Sequence, residues 1–163
     1  MVTTSAGILP YRIAADGTVS ALVAHMGGPY WSAKDAGAWS IVKGEYDPDG
    51  EAALDAARRE FREELGLEAP DGPYAELGTF SYSSGKRITV FVVDGADLDV
   101  SGAVFGEFEM EWPPRSGRTA SFPEVDRVEW VDLGRARELL VKGQRPALDR
   151  LADLVDGENS PSP

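Results

Sequence analysis

Apolar and polar positions fall into short blocks along this chain, and most blocks have the length of strands. Residues 5–13 and 19–25 are largely apolar runs separated by Asp16-Gly17, a dipeptide that tolerates positive φ, so they predict two strands joined as a hairpin. Residues 26–38 hold three glycines and Pro29 and predict a loop, which feeds a further strand at 39–42. Gly44, Pro48 and Gly50 then punctuate an acidic stretch, the composition of a turn. Over residues 51–65 the pattern changes: Gly and Pro are absent, and Leu54, Ala57, Phe61 and Leu65 recur at spacings of three and four. This predicts an amphipathic helix, N-capped by Asp47 or Asp49 and closed by Gly66 in a left-handed conformation. Downstream, 77–83, 87–93, 107–112 and 127–131 predict strands, with Ser84-Gly85 turning between the first two. Helices are predicted at 133–141 and 146–155, and the residues from Gly157 to Pro163 form an expected disordered tail. The order implies one domain over 1–156: an α/β sandwich whose mixed sheet has helices packed against it.

Size and charge narrow what such a domain does. At 163 residues the chain accommodates a single core, and 42% apolar with 27% charged residues is an ordinary globular mixture. Sixteen Lys and Arg against 28 Asp and Glu leave a net charge of −12, which repels phosphate polymers and anionic lipid, so nucleic-acid polymers and membranes are not expected partners. A phosphorylated small molecule would need a bound divalent cation or a local basic pocket to overcome that field. Cysteine is absent, which removes disulfides, zinc-thiolate sites and cysteine nucleophiles; together with the lack of a leader-like or spanning apolar run, this gives the expectation of a cytoplasmic protein.

The candidate chemistry sits on the central helix. Glu60, Glu63 and Glu64 fall within roughly 100° of one another at 100° per residue, beside the apolar stripe rather than on it. Glu60 and Glu64, like charges four apart, repel by a few tenths of a kcal/mol unless a cation lies between them. All-oxygen donors suit a hard ion such as Mg²⁺ or Mn²⁺. Three glutamates alone do not argue a site, because Glu-rich helices ordinarily offer a solvated face with arginine partners, and Arg58, Arg59 and Arg62 are at hand. Competing motifs fail. Glu45-Asp47-Asp49-Gly50 has Ala56 where a calcium loop needs its bidentate acid, Gly85-Lys86 lacks the glycine of a P-loop, and His25, the only histidine, has no nucleophile elbow to serve.

The frame around the acids is more specific. Gly44, Glu51, then seven residues, then Arg59-Glu60-Phe61-Arg62-Glu63-Glu64-Leu65-Gly66-Leu67 resembles the Nudix box. At average residue usage its last nine positions would match by chance in a chain this long on the order of once in 10⁵. The resemblance implies a Nudix-type α/β/α sandwich with a mixed sheet and helices on both sides. It also implies Mg²⁺- or Mn²⁺-dependent hydrolysis of a nucleoside diphosphate linked to another group, with a small-molecule nucleotide as partner. Carried over by position, Glu60, Glu63 and Glu64 with the backbone carbonyl of Lys43 are implied metal ligands, Arg59 orients the acids, and Glu51 is the supporting first acid. Six residues rather than five separate Gly44 from Glu51; the extra one belongs in the Asp47–Gly50 turn, where insertion leaves the helix register intact. Glu124 is the expected further acid, with Glu109 and Glu111 behind it, and Trp112, Arg115 and Arg118 are candidates for stacking a base and holding an outer phosphate, ahead of Lys43 and Tyr82. The resemblance to MutT-like and diadenosine-polyphosphate-type members around Lys43-Gly44 favours nucleoside tri- or polyphosphates. The alternative is a Nudix-like module that binds a nucleotide without cleaving it, usually marked by erosion of the box glutamates, which are all present here. Oligomeric state is not legible.

Overall fold

The computed structural model describes residues 3–159. In chain order it contains β1 (Thr4–Ile13), β2 (Val19–Met26), β3 (Trp39–Ser40), β4 (Val42–Glu45), α1 (Ala53–Leu65), β5 (Ala75–Ser81), β6 (Arg87–Asp94), β7 (Glu107–Glu111), β8 (Thr119–Pro123), β9 (Val125–Asp132), α2 (Leu133–Leu139) and α3 (Arg145–Asn159). α3 thus runs three residues into the stretch expected as a tail; residues 160–163 lie outside the described residues.

The sheet is mixed because β1 pairs parallel with β6 on one edge and antiparallel on the other. β1 and β2 form the expected hairpin, yet they pair only through Tyr11–Ile13 and Val19–Ala21 and then part. The chain between Trp39 and Glu45 fills the gap, with β3 on β2 and β4 on β1. What the pattern predicts as one strand is therefore two, broken at Ile41, whose N–H is taken by the side-chain carbonyl of buried Gln144 at 2.8 Å rather than by a strand. That Gln144 amide also donates to Ser40 Oγ at 2.9 Å and to the Tyr82 hydroxyl at 2.7 Å.

Alternation along β1 splits the core into two layers. Leu9 and Tyr11 join Ile41, Phe80, Leu139, Leu148 and Leu151, beneath α2 and α3; Ala6 and Ile8 face the other way and join Val42, Phe61, Leu65 and Phe91, beneath α1. Helices on both faces of a mixed sheet are the expected α/β/α sandwich. Two local expectations are corrected. The N-cap of α1 is Ala52, without a side-chain cap; Asp47 and Asp49 are used up in their own turn, where Asp47 Oδ1 accepts the Asp49 N–H and the Asp47 carbonyl accepts from Gly50 and Glu51. And 119–123, read as no element, is β8, which pairs only with β7 to make a separate two-stranded sheet. Gly66 closes α1 as expected, at φ 64°, ψ 20°, donating to the Arg62 carbonyl at 2.8 Å.

Candidate active site

Local helix geometry assembles half of the site. The Arg59 guanidinium grips Glu51 with a two-pronged contact, both bonds 2.9 Å, and reaches Glu60 Oε1 at 2.9 Å and Glu63 Oε2 at 3.2 Å. One arginine thus holds three of the four box acids in register. Glu51 still meets Arg59, because the extra residue is absorbed by the 47–50 turn. Arg59 holds the Glu51 carboxyl below the usual carboxylate range, and Glu51 in turn raises the guanidinium's pKa. Glu60 is 8% exposed, and burial raises its pKa against the pull of Arg59. It lies directly against Gly44, where an added Cβ would land on its carboxyl carbon, so only glycine lets β4 pass so close to α1.

The other half comes from distant chain. Past α1 the backbone doubles back over the helix end: Val104 N–H donates to the Leu65 carbonyl at 2.8 Å, and Gly106 N–H to that of Glu64 at 3.2 Å. These bonds satisfy carbonyls that a helix C-terminus leaves open. Gly106 in turn accepts from Glu124 N–H at 2.8 Å, and Glu124 accepts from Gly27 N–H at 3.0 Å. Glu124 is thereby carried to Glu64, and both line a cleft of about 130 Å³ with Lys43, Ser40 and Ala24, where β1 and β2 part. Burial, then the charges of Glu124 and Glu60, push the Glu64 carboxyl up to about 7. Burial and the nearby Lys86 lower the Lys43 ammonium, opposed by Glu45, Glu64 and Glu124.

As they stand, no three acidic or imidazole side chains among the described residues converge on one point, because Glu60 and Glu63 are turned onto Arg59. The donor set nevertheless fits a hard dication. Each carboxylate has about four lone-pair sites, of which Arg59 uses only some. Glu64 carries like-charged neighbours that an ion would relieve, and the small cleft has room for a few waters at roughly 30 Å³ each.

The remaining candidates lie elsewhere. Glu109 and Glu111 are exposed on β7, and Glu111 accepts the Arg115 N–H at 2.6 Å. Trp112, Arg115 and Arg118 follow β7 toward the turn into β8; Trp112 packs edge-on against Tyr30 at 5.4 Å, and none of the three lines the cleft. His25 is fully buried in β2, bonded to Asp126 at 2.7 Å and to the Lys34 carbonyl at 2.6 Å, which ties down the 27–38 loop. Gln144 left no mark in the sequence pattern, since a polar residue between two helical stretches reads as loop.

The sequence model of the NUDIX domain matches residues 7–151. A segment of 54 residues is 44% identical to the uncharacterized 17.7 kDa protein in the e-segB intergenic region of Enterobacteria phage T4; it covers 32% of this chain, and the chain spans 36% of the length of that curated relative. Among solved structures, a C. elegans Ap4A hydrolase binary complex superposes with TM-score 0.65 at 20% identity, over 96% of this chain and 99% of that one. The NUDIX domain of Shewanella oneidensis NrtR complexed with ADP ribose gives 0.61 at 10% identity, over 95% and 89%. The MutT protein from Methanosarcina mazei Go1 gives 0.58 at 20% identity, over 98% and 96%. Identities this low establish the fold they share.

Proposed function

Given that the chain belongs to the NUDIX domain family, we propose that it is a Mg²⁺- or Mn²⁺-dependent Nudix hydrolase that cleaves the pyrophosphate linkage of a nucleoside diphosphate joined to another group, a nucleoside tri- or polyphosphate in particular. The observation that carries this reading is the meeting of the Arg59-held acids with Glu64 and Glu124 beside a cleft in the sheet. Glu60, Glu63, Glu64 and the Lys43 carbonyl would hold the cation, which when bound neutralises pyrophosphate oxygens and acidifies the attacking water. Arg59 and Glu51 are positioning residues that keep Glu60 and Glu63 aligned.

The reaction needs a proton acceptor as water attacks phosphorus and the P–O–P bridge breaks. Glu124 lines the cleft beside Glu64 without being one of the proposed cation ligands, so it is the candidate acceptor. The Lys43 ammonium, on the same wall, offers charge to a phosphate oxygen. Names among the structural neighbours, an Ap4A hydrolase and an ADP-ribose complex, support a small nucleotide ligand. Trp112, Arg115 and Arg118 remain candidates for an outer part of the substrate, from the hairpin side.

Phosphate release from a nucleotide panel with Mg²⁺ or Mn²⁺ tests the reading. Glu64→Gln, which removes a cation ligand, and Glu124→Gln, which removes the proton acceptor, should each lower kcat by roughly 10²-fold or more. Equal turnover by parent and both variants would remove the assignment, and binding without turnover would make the domain a nucleotide sensor instead.

A further inference from the structure

A second cleft, of about 400 Å³, opens beside the first and shares Lys43, Ser40 and Met26 with it. This volume lies within the ~300–1,000 Å³ typical of small-molecule sites, whereas the glutamate cleft does not. The chain has only four lysines, and three of them, Lys43, Lys86 and Lys142, line this one cleft. The fourth, Lys34, places its ammonium 5.3 Å from the ring centre of Trp31, which also forms the cleft wall. Among the described residues no carboxylate forms an ion pair with Lys43, Lys86 or Lys142, although Arg59, Arg62, Arg135 and Arg137 each have one. In a protein of net charge −12, three lysines thus share one cleft in which Glu45 is, among the described residues, the one acidic lining residue and holds none of them in an ion pair. The cleft walls are firm: Tyr82 is pinned by the buried Gln144 amide, and Gly143 packs so tightly on the Tyr82 ring that an added Cβ would overlap it.

We propose that this lysine-lined cleft takes an oligophosphate arm of the substrate, so that the preferred substrates carry three or more consecutive phosphoryl groups rather than a nucleoside diphosphate ending in a neutral sugar. The inference rests on the hydrolase reading and adds its specificity. With the cleaved anhydride at Glu64, phosphates continuing past Lys43 meet Lys86 and Lys142 and the hydroxyls of Ser83 and Ser84. A neutral sugar in the same place leaves the ammonium groups unpaired. Lysines suit this task because they act as point charges on flexible stems and accept a phosphate chain in more than one register.

The test uses the full chain and a Lys86→Ala/Lys142→Ala double variant. Inorganic tripolyphosphate is titrated by calorimetry in EDTA, and Mg²⁺-supported turnover is measured on adenosine tetraphosphate and ADP-ribose. The parent should bind tripolyphosphate, and the double variant about 100-fold more weakly, roughly 10-fold for each charge-assisted contact. The ratio of kcat/KM for adenosine tetraphosphate to that for ADP-ribose should fall in parallel, mainly through KM. No binding by the parent, equal affinity in both proteins, or an unchanged ratio overturns the proposal. Tripolyphosphate binding that depends on the lysines in a parent that hydrolyses neither substrate upholds the cleft and defeats the hydrolase reading alone.

Discussion

Replacing Glu64 by glutamine should make the metal-free protein more stable, and more so at higher pH. Burial and the neighbouring carboxylates move the Glu64 pKa from 4.5 to about 7 in the folded chain. Between those values the native state keeps a proton that the unfolded chain has released, so stability falls as pH rises through that window and the whole cost is present above 7. At about 1.4 kcal/mol for each pH unit this comes to roughly 3 kcal/mol. Below pH 4.5 both states are protonated and the cost vanishes. Glutamine keeps the shape and does not titrate. Urea unfolding in EDTA should therefore give parent and Glu64→Gln similar midpoints at pH 4.5 and, at pH 8, an advantage of up to ~3 kcal/mol for the variant. A domain of this size converts that to roughly 6–12 °C in Tm. Adding Mg²⁺ at pH 8 should reverse the order, since an ion that binds only the native parent stabilises it by mass action. Identical pH profiles in EDTA, or a variant less stable at pH 8, would refute the claim that this carboxylate is held against its own preference.

Arg59→Lys keeps the charge but loses the fork that grips Glu51 while reaching Glu60 and Glu63; kcat should fall at least about 10-fold with helix content by circular dichroism unchanged. Gly44→Ala drives a methyl into the Glu60 carboxyl and should cost about 1–3 kcal/mol in urea unfolding together with most activity, whereas Gly50→Ala, whose nearest neighbour would lie 3.6 Å away, should behave as the parent. Gln144→Ala strands the Ile41 N–H and strips partners from Ser40 and Tyr82, so a loss of about 3 kcal/mol is expected by chemical denaturation.

The sequence by itself determined α1 and what α1 carries. Phe61 and Leu65 fall inward, Glu60, Glu63 and Glu64 gather on one side, and Gly66 ends the helix. All of this lies within a few turns of chain, where 3.6-residue periodicity fixes who neighbours whom. The two-layer core was not legible in the same way, since residues 5–13 read as one apolar run and the division into two layers follows from the helices packed on each face. Only the tertiary structure decided the rest. Glu124 meets Glu64 because Gly106 bridges a helix end and a strand start, Ile41 breaks a strand because a glutamine 103 residues away claims its N–H, and Lys86 and Lys142 join Lys43 from separate turns. β8 was invisible because its short run, ended by a proline, becomes a strand only through pairing with β7. Contacts between distant segments depend on where backbones cross, and no local period encodes a crossing.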